Sequence, residues 1–253
     1  MLVKSVYLLS LLILSFNCVQ SQNICNFTVT VRQELLWNGF HRNLSYLIKF
    51  ENHSLQKKSP VYFYDGCILG VQQLLPAGVY VDPDELENLR RTSKLSAFPH
   101  NGMNIEVAAP YAHPFNAYIF SLVKFNKVNT FLPVHARYQS PVKGGGMVQN
   151  IINAPSTYLR CPDNRLEGCV MPIKTKTYLC DKDPQPDEKC IWKQVMSKTG
   201  DDSVTWKIPV GDLDHFYVVE VVTSLTVVVG SLALIKAIHD HKMSFALRRV
   251  YYR

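Results

Sequence analysis
The sequence has no C-x-x-C pair, so neither a zinc ribbon nor a dithiol redox centre can be built from local ligands. It has no G-x-S-x-G nucleophile elbow. Its glycine-rich stretch, KGGG at 143–146, puts the lysine before the glycines and no Ser or Thr after them. A phosphate-cradling loop needs the reverse order, so this stretch reads as a turn. The histidines are scattered: His113 and His135 have no neighbour at metal-ligating spacing, and His239 and His241 have no further ligands close by. No catalytic residue, no metal site and no cofactor is expected. No internal repeat is seen, and no linker is long enough to prove two domains, so one β-sandwich and two small sandwiches in series both fit the pattern of short strands. The acidic residues Asp82, Asp84, Glu85 and Glu87 read as a helix start rather than as catalytic carboxylates.

What is present lies first at the two ends. Lys4 precedes an apolar run at 6–16, and Val19 and Ser21 are small enough for the −3 and −1 positions of a signal-peptide cleavage site. Such a run is too short to cross a hydrocarbon core of ~30 Å as a helix. Residues 216–235 form a second apolar run, interrupted only by Glu220 and long enough to span a bilayer. Lys236, Lys242, Arg248, Arg249 and Arg253 follow it against one acid, Asp240. Basic residues stay cytoplasmic, so the C-terminus is expected inside and the large domain outside. The formal charge of +7 is concentrated in that tail, which leaves the middle of the chain near +2. That excludes a nucleic-acid-binding face. The expected organisation is a signal peptide at 1–21, a lumenal domain at 22–215, a transmembrane helix at 216–235 and a basic tail at 236–253.

Of the seven cysteines, Cys18 falls in the signal. Cys25, Cys67, Cys161, Cys169, Cys180 and Cys190 remain, an even set in an oxidising compartment, so disulfides are expected with pairing left open. Asn26, Asn43 and Asn52 each open an N-x-S/T triplet and are expected to carry glycans.

Apolar residues recur with period two at Phe27, Val29 and Val31, and at Tyr46, Ile48 and Phe50. The pattern returns at Leu132, Val134, Ala136 and Tyr138, and at Val204, Trp206, Ile208 and Val210. Pro133 marks its segment as an edge strand. Asp82-Pro83 provides an N-cap and a proline at N1, with Glu85 completing a capping box, for a helix to about Arg91. The expected class is mainly β: a disulfide-bonded, β-sandwich-like lumenal domain plus one C-terminal transmembrane helix.

Three unusual segments go further: VRQELLWNGFHRNL at 31–44, LPAGVYVDPDEL at 75–86 and FLPVHARY at 131–138. With CIW at 190–192 and IPVG at 208–211 they resemble the phosphatidylinositol-glycan biosynthesis class X family, PIG-X, over most of the domain. The resemblance implies a non-catalytic subunit of the endoplasmic reticulum membrane that binds and stabilises PIG-M. PIG-M is the catalytic subunit that adds the first mannose to the glycosylphosphatidylinositol (GPI) precursor. The alternative that shares this topology is a type I cell-surface receptor or adhesion ectodomain. Two partner-binding surfaces are expected. His135 and Arg137 point away from the core on the edge strand marked by Pro133. In the membrane helix Glu220, Thr223, Thr226, Gly230, Ala233 and Ala237 fall on one stripe, where small residues let another helix approach.

Overall fold
The computed structural model describes residues 23–24, 28–51, 64–99, 103–163, 165–166, 169–170, 175–180, 189–198 and 203–251. The chain forms two compact units, one of residues 1–137 and 149–206 and one of residues 138–148 and 207–253. The expected signal segment, Cys25, Phe27, Asn26 and Asn52 lie outside the described residues.

In chain order the elements begin with β1 (Asn23–Ile24), β2 (Thr28–Leu36), β3 (His41–Phe50), β4 (Ile68–Leu75), β5 (Val79–Tyr80) and α1 (Pro83–Arg91). Next come β6 (Ser96–Pro99), β7 (Phe115–Leu122), β8 (Lys127–Ala136), β9 (Gly146–Ile152) and β10 (Ser156–Arg160). The series closes with β11 (Cys169–Val170), β12 (Thr175–Leu179), β13 (Lys189–Ser197), β14 (Val204–Val210) and α2 (Phe216–Tyr251). One sheet runs β5-β8-β3-β2-β13-β10-β4-β7-β6, with β12 beside β13, while β1 with β11 and β9 with β14 form two-stranded ribbons.

The large sheet folds over itself. In its order β3 and β4 are four strand spacings apart, which is about 19 Å across a flat sheet. Yet the Tyr46 hydroxyl on β3 donates to Gln73 Oε1 on β4 over 3.0 Å. The turn occurs at β13: its residues up to Val195 pair with β10 and β12, and then Met196 and Ser197 pair in parallel with β2. Between the two halves lie Val31, Leu44, Ile48 and Leu132 from one side and Leu69, Val71, Ile119 and Leu159 from the other, all buried. The period-two pattern is the buried face at Val29 and Val31, at Tyr46, Ile48 and Phe50, at Leu132 and Val134, and at Trp206 and Ile208, whereas Ala136, Val204 and Val210 are partly exposed and Tyr138 is exposed.

The half of the sheet containing β4 is covered on its other face as well. Trp192 stacks on Phe120 at 5.3 Å, and with Ile68 and Tyr118 forms a second buried cluster. Gly70 makes room for it, since a Cβ there would meet Trp192 at 3.4 Å and Phe120 at 3.5 Å. Lys176 Nζ lies over the Tyr118 and Tyr158 rings and bonds to Gln72 Oε1; burial lowers its pKa.

Two disulfides are formed among the described residues. Cys67–Cys161 extends the β4–β10 ladder one step beyond the Ile68–Arg160 pair. Cys180–Cys190 closes the β12–β13 hairpin. Cys169 lies on β11, where Asn23 is its register partner.

In the second unit, Gly144, Gly145 and Gly146 all have positive φ, which only glycine adopts readily, and the Gly144 N–H donates to Asp212 Oδ1 at 3.0 Å. The glycine stretch is a turn, as expected. Helix α2 spans 36 residues, so the helix does not end at Ile235 but continues to Tyr251. The stretch Leu213–Met243, which joins the helical turn Leu213–His215 to most of α2, is long and apolar enough to cross a membrane, with none of its apolar window buried inside the protein.

Candidate functional site
The three segments that carry the family resemblance converge on one cluster of side chains. His41 on β3 and His135 on β8 are direct register partners, so their side chains emerge side by side on one face. Their rings stack at 4.3 Å and 8°. Tyr80 on β5 is the register partner of His135 on its other side and stacks on it at 5.1 Å. Trp37 meets His41 edge-on at 6.4 Å. The β3–β8 and β5–β8 pairings therefore line up a row of rings across three strands.

The carboxylate that meets this row comes from α1. Asp82 caps the helix, its Oδ1 accepting from the N–H groups of Asp84 at 2.9 Å and Glu85 at 3.4 Å. The Glu85 carboxylate does not return to the cap residue as a closed capping box requires. It is turned instead toward the histidines: Oε2 lies 2.9 Å from His135 Nε2, and Oε1 lies 3.3 Å from His41 Nε2. Among the described residues this is the one group of three His, Cys, Asp or Glu side chains whose ligating atoms all lie within 4.8 Å of one another. The side chains remain partly open, His41 at 47%, Glu85 at 29% and His135 at 21% exposure. Chemically, one carboxylate facing two imidazole nitrogens can hold a proton or a cation between them. His135 has no such neighbours within its own stretch of sequence; its two partners come from another strand, β3, and from helix α1.

Arg137 also departs from expectation. It turns away from the core face of β8, but it is 4% exposed and not available for docking. Its Nη1 donates to Ile105 O at 3.1 Å and Val107 O at 2.7 Å, and the guanidinium lies 5.1 Å over the Tyr80 ring. Desolvation lowers its pKa, partly opposed by Tyr80. The residue pins segment 105–107 over the sheet; the strand-edge position that suggested docking is occupied by the protein itself. Strand β8 lies between β5 and β3 rather than at the edge of the sheet, but β5 pairs only with Ala136 and His135, so among the described residues Pro133 has no strand partner on its outer side.

The turn joining β2 to β3 borders the cluster and is apolar. Leu36, Trp37 and Phe40 are 41%, 63% and 47% exposed. Trp37 has φ of 71°, a left-handed conformation uncommon for a bulky residue. The turn is held in place by Arg42 Nε donating to Gly39 O at 3.2 Å and by the Ala136 N–H donating to Phe40 O at 2.8 Å.

Among the glycan acceptors, Asn43 lies half-buried in β3, between Leu36 on β2 and Pro133 on β8. Glu220, Thr223, Thr226, Gly230, Ala233 and Ala237 are exposed along α2, and the Thr226 hydroxyl donates to Val222 O at 2.7 Å. Of the residues in the cluster, Trp37, His41, Tyr80 and Glu85 were not singled out from the sequence as site residues. Their joint occurrence with His135 in the three resemblance segments is the signal that could have found them.

The sequence pattern of the PIG-X / PBN1 family matches residues 37–239. The mouse (Mus musculus) protein named GPI alpha-1,4-mannosyltransferase I, stabilizing subunit, is 28% identical over 222 residues, which cover 84% of this chain and 82% of the mouse chain. The human (Homo sapiens) protein of the same name is 27% identical over 223 residues, covering 84% and 81%. No solved structure matches the chain. With most of its length matched, and with the segments that resemble the family meeting at one site, the chain belongs to the PIG-X / PBN1 family.

Proposed function
We propose that this chain is the non-catalytic, stabilising subunit of GPI mannosyltransferase I in the endoplasmic reticulum membrane, where it binds PIG-M. The observation that carries the reading is the family match over residues 37–239, joined to the name its mouse, rat and human relatives share. The β domain is lumenal, glycosylated and preceded by a cleaved signal, and α2 anchors it with the basic end in the cytoplasm. The N-terminal apolar run, the lysines and arginines after 235 and the two disulfides support that orientation.

The partner is met by the apolar β2–β3 turn. Exposed aromatic residues on a rigidly framed turn are the usual material of a binding hot spot, and Trp37 keeps a costly backbone conformation there. Stabilisation follows from mass action: a subunit that binds only folded PIG-M shifts PIG-M toward the folded state.

The test is complementation. Expressed in cells lacking PIG-X, the chain restores GPI-anchored proteins at the surface and raises PIG-M abundance, and its glycans stay sensitive to endoglycosidase H. Complex glycans on a chain that reaches the cell surface, with no rescue, would refute the reading in favour of a surface receptor.

A further inference from the structure
We propose that His41, Glu85 and His135 form a binding site for a divalent transition-metal ion of the zinc class. The inference goes beyond the subunit role and does not depend on it. Zinc takes imidazole nitrogen at ~2.0–2.1 Å and carboxylate oxygen at ~2.0–2.2 Å. Two donors each held ~2.1 Å from one ion lie about 3.0–3.4 Å apart at bond angles between square and tetrahedral. The Glu85 oxygens are 2.9 Å and 3.3 Å from the two Nε2 atoms, near that span, and the ligating atoms all lie within 4.8 Å of one another. Seating an ion requires the two nearly parallel rings to tilt so that both Nε2 lone pairs converge.

The electrostatics point the same way. Among the described residues the ion-pairing side chains that face Glu85 are these two histidines. The nearby cations are engaged elsewhere: Arg137 with the carbonyls of Ile105 and Val107, and Arg42 with Gly39 O and the Trp206 ring. The two rings stack at 4.3 Å with both Nε2 atoms turned toward the Glu85 carboxylate. Two His and one Glu leave a coordination position for water, and the exposure of His41 gives the ion a way in. Backbone pairing already fixes both histidines, and Asp82 fixes the start of α1, so the donors are held before an ion arrives. Bound there, the ion would tie β3, α1 and β8 together.

The experiment uses the full chain, purified in detergent without a polyhistidine tag, stripped with chelator and titrated with Co2+ as a visible probe. The expected result is saturable binding of one Co2+ with ligand-field absorption, displaced by Zn2+. His41→Asn and His135→Asn each weaken it more than about 100-fold, beyond what loss of an outer-sphere partner costs. Glu85→Gln, which keeps size and hydrogen-bonding capacity, weakens it as well. A His239→Asn, His241→Asn double variant controls for the tail and binds as the wild type does. The two disulfides and the unfolding transition are checked in every variant. Absence of saturable Co2+ or Zn2+ binding to the wild type, retention in the folded Glu85→Gln variant, or loss in the tail variant each overturns the proposal.

Discussion

Removing the two disulfides one at a time should reveal how differently they constrain the unfolded chain. Cys67 and Cys161 are 94 residues apart, while Cys180 and Cys190 are 10 apart. In the chain-entropy model a crosslink closing ~100 residues contributes about 4.7 kcal/mol, and one closing ~10 residues about 2.7 kcal/mol. Packing does not reverse the order, because Cys67, Cys161 and Cys180 are all at least 95% buried. The paired variant Cys67→Ala with Cys161→Ala should therefore lose about 2 kcal/mol more than Cys180→Ala with Cys190→Ala, roughly a 30-fold difference in the folding equilibrium. Pulse proteolysis of the full chain in detergent across a urea series gives the fraction folded for each variant, and the two unfolding free energies follow by linear extrapolation. If the hairpin pair proves as costly as the long-range pair, with both variants native-like before urea, the loop-entropy reasoning is wrong. A disulfide map by mass spectrometry showing other pairings would remove its premise.

Three further outcomes are expected. Arg137→Met should cost about 1.5–3 kcal/mol, because it withdraws charged donors from Ile105 O and Val107 O; limited proteolysis should then open segment 105–107, and unchanged resistance would contradict its pinning role. Burial pushes the Tyr64 phenol up to about 12 and holds Tyr46 well above 10. Raised native values mean that full stability is kept below pH 10, where unfolded tyrosines are still protonated, and is lost as pH climbs toward 12; a urea midpoint that stays flat over that window would contradict the burial. Thr226→Leu, Gly230→Leu and Ala233→Leu together should reduce co-purification with PIG-M, while Val228→Ala, Leu232→Ala and Ile235→Ala should not. Intact binding after the whole span is exchanged for an unrelated membrane helix would assign recognition to the lumenal domain alone.

The sequence by itself determined the features whose signals are local. Val29 with Val31, and Tyr46 with Ile48 and Phe50, alternate because one face of β2 and β3 is core, and the buried positions match. Asp82 and Pro83 announce α1 because a helix start needs a side-chain acceptor and tolerates a missing N–H. The apolar run before Lys236 marks a membrane-length helix, although charge could not say that the helical backbone continues to Tyr251, since lysine and arginine are good helix formers. Tertiary structure decided the rest. Strand β4 has no clean alternation because both of its faces are covered, with Leu69 and Val71 on one side and Ile68 beneath the Trp192 cluster on the other. Which cysteines pair depends on the antiparallel register of β4 with β10, a long-range property that spacing cannot express. Glu85 looked like half of a capping box, and Arg137 like an outward cation. Each was claimed instead by groups that the β3–β8 and β5–β8 registers or the 105–107 segment bring up. His41, Glu85 and His135 stand 44 and 50 residues apart along the chain, and only the folding of two strands and a helix onto one face makes them neighbours.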